Sequence, residues 1–159
     1  MNTHEGRSET IRSAAPGIEA MRSILAGQDD GRLVADFAER LYAGALAEDL
    51  AALDGADLAD LAETTLAAFR DRPAGRHRIR LVDRDFGVGA ATRPSTVIEI
   101  DNDDMPFLFV SVLGQVTDFG LPIRLALHPV LVVERDAAGG LVAFHDTETA
   151  ATRRDSLIQ

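Results

Sequence analysis

Apolar residues recur at helical spacing through the first half of the chain. Ile18, Met21 and Leu25 fall at i, i+3 and i+7 behind Pro16 and Gly17, and Gly27 ends the run. Asp29 and Asp30 are placed to cap a second helix, in which Leu33, Phe37 and Leu41 repeat every four residues while Val34 and Tyr42 widen the stripe. A third helix is expected from near Asp54, with Asp57 three residues on in capping-box-like spacing. Leu58, Leu61, Leu66 and Phe69 form its apolar face, and Pro73 with Gly75 ends it.

The period then changes. Arg76, Arg78 and Arg80 alternate with His77, Ile79 and Leu81, the pattern of a half-exposed strand. A glycine-containing loop from Asp85 to Pro94 leads to a second strand over residues 96–100, rich in β-branched residues. Asp101-Asn102-Asp103-Asp104 reads as a polar break, and Pro106 sits where the first turn of a helix accepts proline. Phe107, Leu108, Ser111, Val112 and Val116 fit that helix, and Gly120 closes it. Residues 121–135 are again strand-like, with Pro129 marking a bulge, bend or edge. Asp136 to Gly140 is a hairpin turn and Leu141 to Phe144 its returning strand. Ser156 to Gln159 resembles a strand that has only begun, and an unpaired apolar strand of that kind implies that more chain follows.

Helices followed by β-β-α-β-β define an α+β fold with a mainly antiparallel sheet. The organisation expected is a disordered arm over 1–15, a helical segment over 16–75 and a sheet-bearing domain over 76–159 that is incomplete at its C-terminal side. The arm is polar, with no apolar periodicity.

Composition narrows the chemistry. All 16 basic residues are arginine, so no Schiff base, P-loop lysine or lysine general base can form within these 159 residues. The absence of cysteine removes disulfides, thiolate metal sites and cysteine nucleophiles, and fits a cytoplasmic setting. A net charge of −10 opposes a phosphate backbone, which argues against nucleic acid. No apolar run approaches the ~20 residues that span a bilayer, so no membrane partner is expected.

Candidate sites are few. Asp101, Asp103 and Asp104 could ligate a hard cation, but no glycine and distal glutamate complete an EF-hand pattern, and complementing the dipole of the following helix is the favoured role. His128, ahead of Pro129, is expected to be structural, and His4, His77 and His145 have no partner at ligand spacing. The arginine row at 76, 78 and 80 could grip an anion or an acidic surface, although a solvated, charge-protected edge is the commoner outcome. Asp85-Phe86-Gly87 and Gly87-x-Gly89 echo kinase and dinucleotide motifs without any supporting element. No catalytic, cofactor-binding or metal residues are assigned.

The stretch Val97-Ile98-Glu99-Ile100-Asp101-Asn102-Asp103-Asp104-Met105-Pro106-Phe107-Leu108 resembles a block near the start of the large bacterial NAD-dependent glutamate dehydrogenases. The resemblance continues through Gly120-Leu121-Pro122, His128-Pro129-Val130 and Glu134-Arg135-Asp136, and upstream through Ala47-Glu48-Asp49-Leu50 and Asp57-Leu58, covering about residues 33–159. It implies a partial ACT-like (ferredoxin-like) domain over 76–159. ACT domains tend to read Asp-x-Pro-Gly-Leu at the first strand–helix junction, where this chain has Asp104-Met105-Pro106-Phe107-Leu108. Phe107 is expected to fill the space that glycine would leave for a ligand. Phe109-Val110 also departs from the family's usual Val-Asp. The candidate ligand or interface loop is therefore Asn102, Asp103, Asp104, Met105, Pro106 and Phe107.

The function implied is that of an N-terminal regulatory and assembly segment. In the full-length enzyme of that family, NAD accepts hydride as L-glutamate is deaminated to 2-oxoglutarate and ammonia in glutamate catabolism. The segment itself is expected to hold no cofactor and to be non-catalytic, since the family's catalytic lysine and any Gly-x-Gly-x-x-Gly fingerprint are missing. Its partners would be downstream domains and other subunits of a homo-oligomer, with an amino acid as a possible effector. The rival reading is a free-standing ACT-like sensor of small molecules. An enzyme in its own right is disfavoured, because no nucleophile or acid/base constellation can be assembled.

Overall fold

The computed structural model describes residues 16–29, 31–88 and 91–159. The expected arm over 1–15, the capping role of Asp30 and the tip of the 85–94 segment fall partly or wholly outside these residues. Four helices come first: α1 (Pro16–Ala26), α2 (Gly31–Tyr42), α3 (Ala47–Ala51) and α4 (Gly55–Phe69). Then follow β1 (Arg78–Val88), β2 (Ala91–Asp103), α5 (Leu108–Asp118), β3 (Val130–Arg135), β4 (Leu141–His145) and β5 (Thr152–Ile158). The chain groups into two compact units. One takes the described residues up to Ala67 with Asp83–Thr96, and the other takes Ala68–Val82 with Val97–Gln159.

The helical stripes anticipated from spacing are the buried ones. Ile18, Met21 and Leu25 of α1, Phe37 and Leu41 of α2, and Leu58, Leu61 and Leu66 of α4 are all buried, at about 1.5–3 kcal/mol for each such side chain removed from water. Leu33 is only half-buried, and Val34 and Ala38 take the inward places instead. The Tyr42 hydroxyl donates to the Leu58 carbonyl at 2.8 Å, which satisfies the one polar atom that Tyr42 carries into this core. Burial drives that phenol's pKa well above its ordinary value. Gly55 is required by proximity, since a β-carbon there would lie 2.5 Å from that of Ala20.

Residues 85–88 and 91–94 are a correction to the expected loop. They belong to β1 and β2, which run well past the boundaries suggested by β-branched content. Alternating residues continue through both strands, but polar side chains on each face hide the period. The Thr96 hydroxyl donates to Asp83 across the hairpin at 2.7 Å, and Arg84 bonds Asp60 and Thr64 of α4.

The five strands form one sheet in the order β1-β2-β5-β3-β4. β5 is antiparallel to both β2 and β3, with Ile100 opposite Ile158 on one side and Leu131 opposite Asp155 on the other. It follows that β2 and β3 share a direction, with α5 joining them and β5 lying between: a split β-α-β unit. Two expectations fail here. The strand glimpsed at 156–159 is neither barely begun nor unpaired but is the centre of the sheet, and Asp101 to Asp103 continue β2 instead of breaking it. Of the strand-like stretch 121–135 only Val130–Arg135 is strand. Pro129, which lacks an amide donor, precedes β3 and uses its carbonyl to accept from Leu157 at 3.1 Å. No helix among the described residues is long and apolar enough to cross a membrane.

Candidate functional site

The junction between β2 and α5 carries the sequence-derived candidates, and a buried charge cluster lies beneath it. Register decides which side chains meet. Asp103 sits opposite Asp155 and Asp101 opposite Leu157, so Asp101, Asp103 and Asp155 share one face of the sheet. Leu131 and Val133 of β3 share that face through their pairing with Asp155 and Arg153.

Arg72, which follows α4, reaches across this face and is 1% exposed. Its Nη1 donates to Asp103 at 2.9 Å and to the Arg76 carbonyl at 2.7 Å, and its Nη2 donates to Asp155. Its Nε lies 3.0 Å from an oxygen of Asp101. Asp155, at 0% exposure, also accepts from Arg135 Nε at 2.8 Å and Arg153 Nε at 3.0 Å. Arg135 in turn donates to the carbonyls of Phe69, Arg70 and Gly139, each at 2.9 Å, and stacks over the Phe69 ring. Arg153 donates to the Arg72 carbonyl at 2.9 Å. One aspartate therefore ties β5, β3 and the segment after α4 into a single hydrogen-bonded block.

The charges respond in opposite ways. Burial acts to lower the pKa of Arg72, but its bond to Asp103 and the charges of Asp155 and Asp101 overcome this and hold it above the ordinary value. Arg135 goes down: burial dominates, Asp155 opposes it, and the nearby Arg153 adds to the fall. The difference follows from the count of acids in reach. Asp101 is pushed up to about 6 by burial, against the pull of Arg72. Its contact with Arg72 is close but misaligned, so neither carboxylate oxygen has a hydrogen-bond donor.

At the junction itself, Asp104 pairs with Arg154 at 3.0 Å, and the amide of Asp104 donates to the Arg154 carbonyl at 3.1 Å. The amide of Gly75 donates to Asp103 at 3.2 Å, while Asn102 lies 3.2 Å from the Met105 sulfur. Asp101, Asp103 and Asp104 each lie against an arginine, and Asp103 has the Gly75 amide as well. Among the described residues no group of three or more histidines and carboxylates is arranged to hold a metal ion.

Pro106 and Phe107 are not in the first turn of α5, as the sequence suggests, but form the turn before it. Phe107 has φ 66° and makes no side-chain cap, and the residue is 80% exposed. It stands in solvent instead of filling the junction. The left-handed backbone costs a non-glycine residue about 1–2 kcal/mol, partly offset by glycine's greater loss of chain entropy. Phe107→Gly is accordingly expected to leave stability unchanged or raise it by up to about 1 kcal/mol in urea denaturation. A loss above that would mean the ring is packed.

His128, expected within a strand-like run, lies in the segment before β3. Its Nε2 lies 2.9 Å from the hydroxyl of the buried Ser156, and its ring stacks on Phe109 of α5 at 4.6 Å. Burial lowers the imidazole pKa, with Asp104 pulling the other way. The residue pins the segment before β3 between α5 and β5.

The sequence alone does not single out Arg72, Arg135, Arg153 or Asp155, because their partners lie far away in the chain. One signal is present: Asp155 stands just before the apolar pair Leu157-Ile158 in a strand-forming stretch, where a charge needs a buried partner.

A family model described as the ACT1 domain of glutamate dehydrogenase matches residues 37–159. No curated protein and no solved structure matches the chain.

Proposed function

The chain belongs to the ACT1 domain family of glutamate dehydrogenases, and from that premise we propose that it is the N-terminal assembly and regulatory segment of a large NAD-dependent enzyme of glutamate catabolism. In this reading the oxidation of L-glutamate to 2-oxoglutarate and ammonia, with NAD as hydride acceptor, belongs to other domains of a cytoplasmic homo-oligomer. The chain itself contributes surfaces for those domains and for neighbouring subunits. Its lack of lysine supports the absence of the family's catalytic amine from this segment.

The observation that carries the assembly role is the state of the β2–α5 junction. Its Asp103 and Asp104 are engaged by Arg72 and Arg154, while its apolar residues face outward: Met105 is 51% exposed, Phe107 80% and Val110 68%. α5 has no buried residue at all. Exposed apolar groups of this extent characterise surfaces that another chain covers. A small-molecule site would instead offer concavity and unengaged polar groups.

Deleting residues 1–159 from the full-length enzyme tests this. Mass photometry is expected to show smaller particles, with glutamate oxidation retained per intact catalytic domain. An enzyme of unchanged size and unchanged effector response would remove the assembly role. Turnover of glutamate and NAD by the 159-residue chain alone would overturn the non-catalytic reading.

A further inference from the structure

The first strand of the sheet is built the opposite way from the usual half-buried strand. β1 is terminal in the strand order, so no described strand pairs with its outer edge. Its apolar residues face water, with Ile79 61% exposed and Leu81 70%. Its first two arginines, Arg78 and Arg80, are instead half-buried. Arg80 pairs with the buried Glu99 at 3.2 Å, and Arg78 donates to the Asp71 carbonyl and lies close enough to Asp101 to lower that residue's pKa. The row does lie on an edge strand, as expected, but Arg78 and Arg80 are half-buried instead of solvated. Arg76, Arg78 and Arg80 also concentrate positive charge along one edge of a chain whose net charge is −10.

We propose that the outer edge of β1 over residues 78–82 receives an extended acidic segment as a sixth strand, with carboxylates on the Arg78 and Arg80 side and apolar residues on the Ile79 and Leu81 side. An open edge supplies main-chain donors and acceptors for such an addition. Opposite charges directly across a strand pair are favourable, and like charges are unfavourable. Arg80, one-third exposed, already holds Glu99 on its inner side and has further N–H donors for a second carboxylate.

The same charge rule disfavours a second copy of this chain. A two-fold axis normal to the sheet sets residues of equal parity opposite each other. Centring the pair on residue 78, 79, 80, 81 or 82 then places an arginine of one copy against an arginine of the other in every register, because 76, 78, 80 and 84 are all arginine. An acidic strand meets no such conflict. This inference is independent of the assembly reading, because it concerns direct binding and not the behaviour of a parent enzyme.

The test uses the 159-residue chain and a short labelled peptide alternating Glu with Val, followed by fluorescence anisotropy. Saturable binding is expected, roughly tenfold tighter than for the matching Lys/Val peptide, or about 1.4 kcal/mol. It should weaken as salt rises, and hydrogen exchange of the β1 amides should slow when peptide is bound. The double variant R78Q/R80Q should lose most of the charge preference. Because that variant could lose one of Glu99's partners and unfold, a Glu/Val peptide N-methylated on every amide, which leaves neither of its edges a donor, provides a second arm that leaves the protein untouched, and it should not bind. Equal affinity for the two charge types, binding that survives N-methylation, or slowed β1 exchange from self-association alone would overturn the proposal.

Discussion

Replacing Asp155 by alanine should lower the stability of the chain by about 3–5 kcal/mol, the cost of removing one partner from a buried ion pair. A domain of ordinary stability has only about 5–15 kcal/mol in total. The effect is large because Asp155 is fully buried and is shared by Arg72, Arg135 and Arg153. Without it, Arg135 keeps its three carbonyl acceptors but loses the carboxylate bonded to its Nε, in a place where burial already disfavours its charge. Arg72 keeps Asp101 and Asp103, so the loss at Arg135 should dominate. Urea denaturation followed by circular dichroism measures this directly. A loss below about 1 kcal/mol would mean that water reaches the arginines and that the block is not the tie described above.

Asp101 should give the second large effect, and its sign is opposite to that of an ordinary ion-paired carboxylate. Its folded pKa of about 6 lies above the reference value of 3.8, so the native state holds a proton more tightly than the unfolded chain does. The stability this group contributes is fully present below about pH 4 and is lost as pH rises through 6. A shift of two units corresponds to roughly 3 kcal/mol. Asp101→Asn replaces the carboxylate by a neutral group of similar shape. The variant is therefore expected to be no less stable than the parent at pH 7.5. The stability difference between the two proteins should change by a few kcal/mol between pH 4 and pH 7 and be flat above. The opposite slope would show that Arg72 aligns on Asp101 in solution and holds its pKa down.

The helices are legible in the sequence because their apolar spacing is plain: Ile18, Met21, Leu25, Phe37, Leu41, Leu58, Leu61, Leu66 and Phe69 all fall on the inward stripes and are all buried. The α+β class and the antiparallel sheet are legible for a similar reason, and the block from Val97 to Leu108 points to the family that the match over 37–159 supports. What stays hidden is non-local. The length of the β1–β2 hairpin is masked by polar residues on both of its faces. The central place of β5 depends on pairing with β2 and β3, which no local pattern encodes. Asp101 and Asp103 look like loop residues because aspartate is rare in strands, and the Arg72 that lies against both comes from a distant segment. The apolar character of Phe107 suggests a helix, yet φ 66° puts it in the turn ahead.

Much of the junction's meaning rests on whether it is a structural joint or a receptor for a small molecule. Isothermal titration calorimetry of the 159-residue chain with L-glutamate, and then with each other common amino acid, distinguishes the two most directly. With Asp103 and Asp104 held by Arg72 and Arg154, the expected result is no saturable heat with any of them. A defined one-to-one isotherm, accompanied by changed amide signals at Asn102 to Phe107, would contradict that expectation and make the chain a sensor.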